Sequence, residues 1–579
     1  MYKSIVIFCL WILPIVGNAQ RITLKITDSS SSNYNTLIDT TYLRPSLQNQ
    51  LEKYRSAGYL GAQIDSLHYE KDTIIAHLSK GRKYTHVQIT KNNLPEGYLD
   101  KTGPSTLDLS SFAKLQRKVM QDYENNGYPF ISLTLTHNQI NRDTLSTHLY
   151  ADPYLYFVYD SFVFQGNATI SKKYLSKYLA IEKGKPYREK DILELDSRLQ
   201  NLALIQLKSP SQVIFNRGIV QVILHIDDAT IDRFDGIVGL APNSENSSQN
   251  SLLVTGEVNV GLHNLFRTGK QLNLQWKNYL QNSQKLDLAL HLPYLFNTRL
   301  GVTGEFKLNK FDTLFVNLSR KLSIRYQDKG NNYFQFYYQR ISSNLINADT
   351  NAIRIQQRIP DNNPFAVDNY GMTLFKQKLD YITNPQKGFS LLTDASIGQK
   401  TIERNRDIAR MKFVDSETGK FISLYDTIQS KHIRFDIRFQ LSSYIPIKRK
   451  GTLHQHIAFR GLFSDQIFFN ELHNFGGYST LKGFDENAFF ASKSLRYTLE
   501  YRYLIGQNSF VGLFINMAAY ENKIDSPERI KDTPWGIGIA SNLEVGQGIL
   551  NIAYALGTQQ GNGFQFNAAK IHFGIINYF

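Results

Sequence analysis

The stretch His432–Leu441, HIRFDIRFQL, decides the fold. Ile433, Phe435, Ile437, Phe439 and Leu441 fall on one face at period two, and His432, Arg434, Asp436, Arg438 and Gln440 fall on the other. Such a strand separates an apolar medium from a polar one. Leu495–Leu504, LRYTLEYRYL, repeats the pattern, with Leu495, Leu499, Tyr501 and Tyr503 opposing Arg496, Thr498, Glu500 and Arg502. In a soluble sandwich the polar face looks outward to water. In a barrel that crosses a bilayer the apolar face looks outward to lipid. Alternation alone does not choose between them.

Loop length does. Period two persists from Ile231 to the last residue, giving about 16 strand candidates, an even number as membrane barrels prefer. Connections after even-numbered strands are short: LFRTG, DKGN, NPQKG, IKRKG, IGQN and VGQG. Those after odd-numbered strands are mostly long and polar: NSENSSQN, Ser343 to Val367, Gln399 to Ser430, Ser464 to Phe490, and Glu521 to Thr533. Short turns on one rim and long loops on the other are expected of an outer-membrane barrel. A sandwich gives no reason for the asymmetry.

Before Ile231 the rhythm is different. YRSAGYLGAQIDSLHYEKDTIIAHL begins at Tyr54 and YENNGYPFISLTLTHNQINRDTLSTHL at Tyr123. Each opens Tyr-x3-Gly-Tyr and continues as two strand-like runs. Helical stretches precede them (Leu43 to Ala57, Leu107 to Asn125), with Gly58 and Gly127 where a helix C-cap belongs. A third unit from Tyr154 to Ala229 lacks the Gly-Tyr step. Repeats of this size that mix helix and strand predict small α+β modules in a row. The expected boundaries are 20–82, 83–152 and 153–229, with the barrel at 230–579. ITDSSSSNYNT in the first module reads as loop or frayed strand.

Residues 1–19 have a basic Lys3, an apolar run from Ile5 to Val16 and a small-residue site, the pattern of an export signal. The lone Cys9 lies inside it, so the mature chain is expected to carry neither disulfide nor cysteine-ligated metal. The net charge of +15 is spread along the chain rather than clustered. It suits a solvated surface or anionic lipid headgroups and does not point to nucleic acid. No Gly-x-Ser-x-Gly turn, phosphate loop or His-Glu-x-x-His occurs, so no enzyme is expected. His454 and His456 share a face but have no third ligand, and they read as lumen residues; neither metal nor cofactor is expected.

The long loop after strand eleven contains FGGYSTLKGFDENAFF, Phe475 to Phe490. Tandem modules, a barrel of about 16 strands, this Gly-Gly…Leu-Lys-Gly-Phe loop and the aromatic terminus resemble the BamA/TamA family of outer-membrane assembly factors. The resemblance covers essentially the whole mature chain and is more TamA-like in size. It implies that the modules are periplasmic POTRA domains and that the loop Gly476, Gly477, Leu481, Lys482, Gly483 and Phe484 folds back into the lumen. The cation of the loop would then pair with acids on the wall. Glu500 stands at one of those places, and Asn516 stands where the family has a second acid; Lys482 replaces the family's arginine. One Lys482–Glu500 pair would thus replace a multi-point clamp.

The resemblance also implies a seam between the first and last strands that opens sideways to clients. The first candidate strand, Gly236 to Pro242, reads as short, with Gly236, Gly239 and Pro242; the last carries Asn577 and Phe579 in an otherwise lipid-facing row. The implied function is insertion or export of β-rich or surface-protein clients in the outer membrane of a Gram-negative bacterium. Its partners would be outer-membrane lipids, unfolded clients and periplasmic or inner-membrane accessory proteins. The alternatives are a dedicated protein-secretion pore, a lipid-transport barrel and a surface-adhesion role for the long loops.

Overall fold

A computed structural model describes residues 21–577 except 29–33, 40–42, 60, 71–72, 100–102, 230–231, 243–251, 281–282, 415–418, 525–529, 547, 562 and 565–568. The expected export signal and Phe579 lie outside the described residues. Two compact units form: one runs to Val158 and takes in Pro186–Glu189, the other comprises Tyr159–Lys185 and the chain from Lys190 onward.

The first unit repeats one topology twice. Arg21–Asp28 and Tyr34–Asp39 pair antiparallel, helix Leu43–Ser56 crosses over, and Gln63–Glu70 and Thr73–Ser79 complete a four-stranded sheet. The first and last of these strands lie parallel at its centre, a pairing that needs the crossover helix. His86–Asn92, Ser105–Asp108, helix Leu109–Glu124, Ser132–Asn141 and Thr144–Asp152 follow the same order. The serine-rich segment is flanked by two paired strands rather than being wholly loop. The second helix starts two residues later than expected because Asp108 caps it, its carboxylate accepting from the Ser111 amide at 2.9 Å. Phe112 and Val119 then bury against Val87, Ile89 and Leu149.

Tyr-x3-Gly-Tyr is a helix stop. Gly58 and Gly127 take φ of 104° and 97°. The amides of Tyr59 and Tyr128 donate back to the carbonyls of Tyr54 and Tyr123 at 3.0 and 3.1 Å. Each pair of rings closes over the turn, centroids 6.3 and 5.8 Å apart. The first is a Schellman cap, the Gly58 amide donating to the Arg55 carbonyl at 3.0 Å; at the second the Gly127 amide donates instead to the Tyr187 carbonyl at 3.0 Å, and in both the apolar contact is supplied by tyrosines.

The second unit begins with most of a smaller module, whose elements are strand Val158–Gln165, helices Lys172–Leu179, Glu189–Leu193 and Leu195–Gln200, and strands Ile205–Leu207, Gln212–Asn216 and Ile219–Asp228. Its core is Leu175, Leu179, Leu195, Leu199, Leu224 and Ile226.

The rest is one antiparallel sheet of seventeen members among the described residues, of which Ile530–Asp532 is a three-residue piece; the other 17 − 1 = 16 are long. In chain order they are strand one, Arg233–Pro242, then Leu252–Leu265, Lys270–Leu280, Ser283–Leu292, Leu300–Phe311, Phe315–Gln327, Tyr333–Leu345 and Phe365–Leu379. Strands nine to sixteen are Gly388–Ile402, Lys431–Ile447, Gly451–Phe463, Lys493–Leu504, Phe510–Asn522, Trp535–Val545, Gly548–Thr558 and Lys570–Asn577. Each pairs with its neighbours in sequence, with no crossover.

Flat, strands five and sixteen would lie roughly 50 Å apart at the usual spacing. Yet the single loop between strands eleven and twelve meets both: Phe490 packs on Phe311, and the Gly483 amide donates to His572 at 3.3 Å. The sheet is therefore rolled around that loop as a transmembrane barrel. The faces agree. Ile433 and Phe435 are 61 % and 44 % exposed, whereas Arg434 and Glu500 are 4 % and 3 % exposed. No helix among the described residues is long and apolar enough to cross a membrane.

The first strand differs from its sequence reading. It runs ten residues from Arg233, in register with strand two from Arg233↔Gly261 to Pro242↔Leu252. Gly236 and Gly239 pair with Val258 and Thr255 inside that ladder, so this strand is not short. Arg233 and Asp235 disguised its beginning as loop. Asn577 pairs with Gly548 at the end of the last strand, which has eight residues.

Phe439, midway along strand ten on the lipid face, gives a direct check. Phe439→Arg will cost ~2–4 kcal/mol in urea unfolding from lipid vesicles. Gln440→Arg, one residue on and facing the lumen, will stay within ~0.5 kcal/mol of the parent.

Candidate functional site in the barrel lumen

The loop 464–492 is held in the lumen at two ends. At the first end, a short 3-10 turn, Phe469–Glu471, brings the Glu471 carboxylate onto two buried cations. Lys400 of strand nine donates to it, and to the Gln466 carbonyl at 3.0 Å. Arg434 of strand ten donates at 3.1 Å. Asn470 donates to the Ser343 hydroxyl at 2.7 Å and the Asn363 carbonyl at 2.9 Å. Phe468 joins Ile353, Phe365, Ile408, Leu424 and Tyr425 in an apolar core beneath the neighbouring long loops.

The second end carries the motif. Gly476, Gly477 and Gly483 have φ of 130°, 84° and 99°, and a Cβ on Gly476 would come within 2.4 Å of the Asp485 carbonyl. These positions require glycine. Leu481 is buried with Phe475, Phe489 and Ala518, and Phe484 packs at their edge. Asn516 grips the Lys482 backbone in both directions: its oxygen accepts from the Lys482 amide at 2.8 Å, and its Nδ2 donates to the Lys482 carbonyl at 3.1 Å and to the Gly536 carbonyl at 3.2 Å. An aspartate could accept but not donate, so the amide fits a backbone clamp that an acid would not.

The expected Lys482–Glu500 pair is corrected. Glu500 is taken by Arg502, two residues along the same face, at 2.8 Å, and by His454 at 3.3 Å. The Lys482 ammonium instead lies over the Phe514 and Tyr478 rings, 4.7 and 5.4 Å from their centroids, a cation–π seat. An ammonium that can move off a carboxylate onto an aromatic face leaves Glu500 to the forked guanidinium beside it. His456 shares the wall with His454 and meets the Ser442 hydroxyl at 2.9 Å. Among the described residues no group of three or more His, Cys, Asp or Glu could hold a metal ion.

The tip therefore spans the last four strands: Phe514 and Asn516 on strand thirteen, Gly536 and Asn542 on fourteen, Gly557 on fifteen, and His572 on sixteen. Of the residues that hold the loop, the sequence marked Asn516 and Arg434 but missed Lys400 and Glu471. Lys400 lay within a stretch read as loop, and Glu471 sits in a turn with no periodicity to flag it.

On the opposite rim the third module is stitched to four short turns. Ser171 donates to the Arg267 carbonyl at 3.1 Å, and Tyr174 packs where a Cβ on Gly269 would stand, 2.0 Å from its ring. Gly330 donates to the Tyr178 carbonyl at 2.8 Å, and Asn201 donates to that of Leu379 at 2.8 Å. The Asp191 carboxylate takes Lys329 at 2.6 Å and Arg198 at 3.3 Å. A hydrogen bond from Lys177, with Arg299 3.6 Å away, holds the Glu182 carboxyl below its ordinary value against partial burial.

Two outcomes follow. Asn516→Leu removes the clamp without adding charge and will raise hydrogen exchange at Lys482 and Gly483 by roughly tenfold or more, as loss of about 1.4 kcal/mol implies. Glu471→Ala strands two buried cations and will lower barrel stability by ~3–5 kcal/mol in thermal or urea unfolding.

No family model matches the chain, and no curated protein matches it. Solved structures do. CdiB from Escherichia coli superposes with a TM-score of 0.52 at 12% identity, covering 93% of this chain and 97% of that one. CdiB from Acinetobacter baumannii gives 0.47 at 12% identity over 90% and 93%. BamA from Haemophilus ducreyi lacking POTRA domains 1-3 gives 0.40 at 14% identity over 84% and 99%. At these identities the likeness is one of fold.

Proposed function

We propose that this chain is an outer-membrane assembly or translocation factor of the BamA/TamA type, inserting or exporting β-rich clients at a seam between strands one and sixteen. The observation that carries this reading is the occupied lumen. A loop anchored to strands nine and ten at one end and to strands thirteen to sixteen at the other leaves the wall as the route for a client. Strands one and sixteen are where the sheet order begins and ends. A client strand can add there by β-augmentation, its backbone groups satisfied as it enters hydrocarbon. The POTRA-like modules would hold unfolded clients and accessory proteins in the periplasm of a Gram-negative cell. The site residues then have distinct roles: Gly476, Gly477 and Gly483 shape the tip, Leu481 and Phe484 bury it, and Asn516 ties it to the strands next to the seam.

The test is a disulfide between cysteines placed in Arg233–Pro242 and Lys570–Asn577, with the outer-membrane proteome as readout. Oxidation will deplete many barrels at once, and reductant will restore them. Normal assembly with the strands locked overturns the seam. Loss of a single exported protein would assign a dedicated secretion pore instead, and altered lipid asymmetry a lipid-transport barrel.

A further inference from the structure

The outer face of the barrel carries a groove of about 540 Å³ across strands three to seven. Leu288 and Leu290 of strand four, Phe306 of strand five and Leu322 of strand six wall it. Gly304 forms its floor: a Cβ there would find nothing within 4 Å. All five alternate with lumenal neighbours such as Thr303 and Ser323, so the groove opens to lipid.

One end of this apolar trough is charged. Arg320 lines it and stands directly opposite Arg340 on the next strand, both on the lipid side. Like charges opposed across a ladder destabilise it, and arginine on the lipid face of a barrel is disfavoured in proportion to depth. Asp368 relieves only one of the pair. It takes Arg340 at 3.4 Å and the Tyr338 hydroxyl at 2.6 Å. Among the described residues the Arg320 side chain has no carboxylate or hydrogen-bond partner. The pair lies five residues from the long-loop ends of its strands (320 − 315 and 345 − 340) and seven from the other ends, so it sits in the half nearer those loops.

We propose that this surface is a binding site for an anionic, phosphate-bearing lipid, one acyl chain lying along the groove over Gly304 and the phosphate bridging Arg320 and Arg340. Guanidinium forks match phosphate oxygens in geometry as well as charge, and a lipid supplies both the anion and the chain. The two arginines and single carboxylate leave one positive charge for the headgroup to neutralise. The site depends on the barrel fold and not on the proposed transport function.

The experiment is native mass spectrometry of the full chain in a zwitterionic detergent, titrated with phosphatidylglycerol or phosphatidylcholine of equal chain length. Phosphatidylglycerol will bind preferentially, and inorganic phosphate at the same concentration will not displace it. Arg320→Gln with Arg340→Gln will weaken its binding roughly tenfold, as expected for loss of charge-assisted contacts. Gly304→Phe will do the same with both arginines intact. Heat-modifiable electrophoretic mobility will report that each variant is folded. Equal binding of the two lipids, or unchanged binding by the double arginine variant, overturns the site; so does displacement by inorganic phosphate, which would indicate a simple anion site. Loss with Gly304→Phe but not with the double arginine variant also overturns it, leaving an apolar trough without headgroup recognition.

Discussion

Inside a bilayer no water is available to satisfy a backbone amide, and that constraint organises this molecule. It favours pairing each strand along its length with its neighbours, which rolls the sheet and turns its apolar face outward. The polar side chains that alternate with that face are thereby collected into a narrow interior. Arg434, Lys400 and Glu500 are buried, and Arg502 half-buried, because the sheet closes over them, and each then has to find a partner there. The loop that enters the lumen is part of that solution: its Glu471 satisfies two of the wall's cations.

The two anchorages of the loop use different chemistry. The Glu471 end is ionic and buried, where breaking one partner is far more costly than the net worth of the pair. The Lys482 end is held by a neutral amide and by aromatic faces. Its hydrogen bonds run to backbone atoms, so they fix where the chain passes whatever side chain position 482 carries. The three glycines allow that path.

Much of this was legible in the sequence, for reasons particular residues make plain. Alternation in His432–Leu441 and Leu495–Leu504 gave the wall and placed Glu500 and Arg434 inside, because a strand has only two faces. The Tyr-x3-Gly-Tyr repeat gave the helix stops at Gly58 and Gly127, because a cap is local. What failed was competition between partners. Nothing in one strand's pattern says whether Glu500 will prefer Lys482, reaching in from a loop, or Arg502, already beside it. Glu471 and Lys400 are 71 residues apart and meet only because a turn folds into the lumen. The start of strand one was hidden because Arg233 and Asp235 break the apolar rhythm of its sequence.

The third module grips the turns that follow strands two, four, six and eight. Its contacts thus fall on one side of the cylinder, and the loop tip braces the other. A push or twist on this module would act like a handle on a cup, moving strands two to nine as a block and concentrating any shear in the opposite arc of the wall.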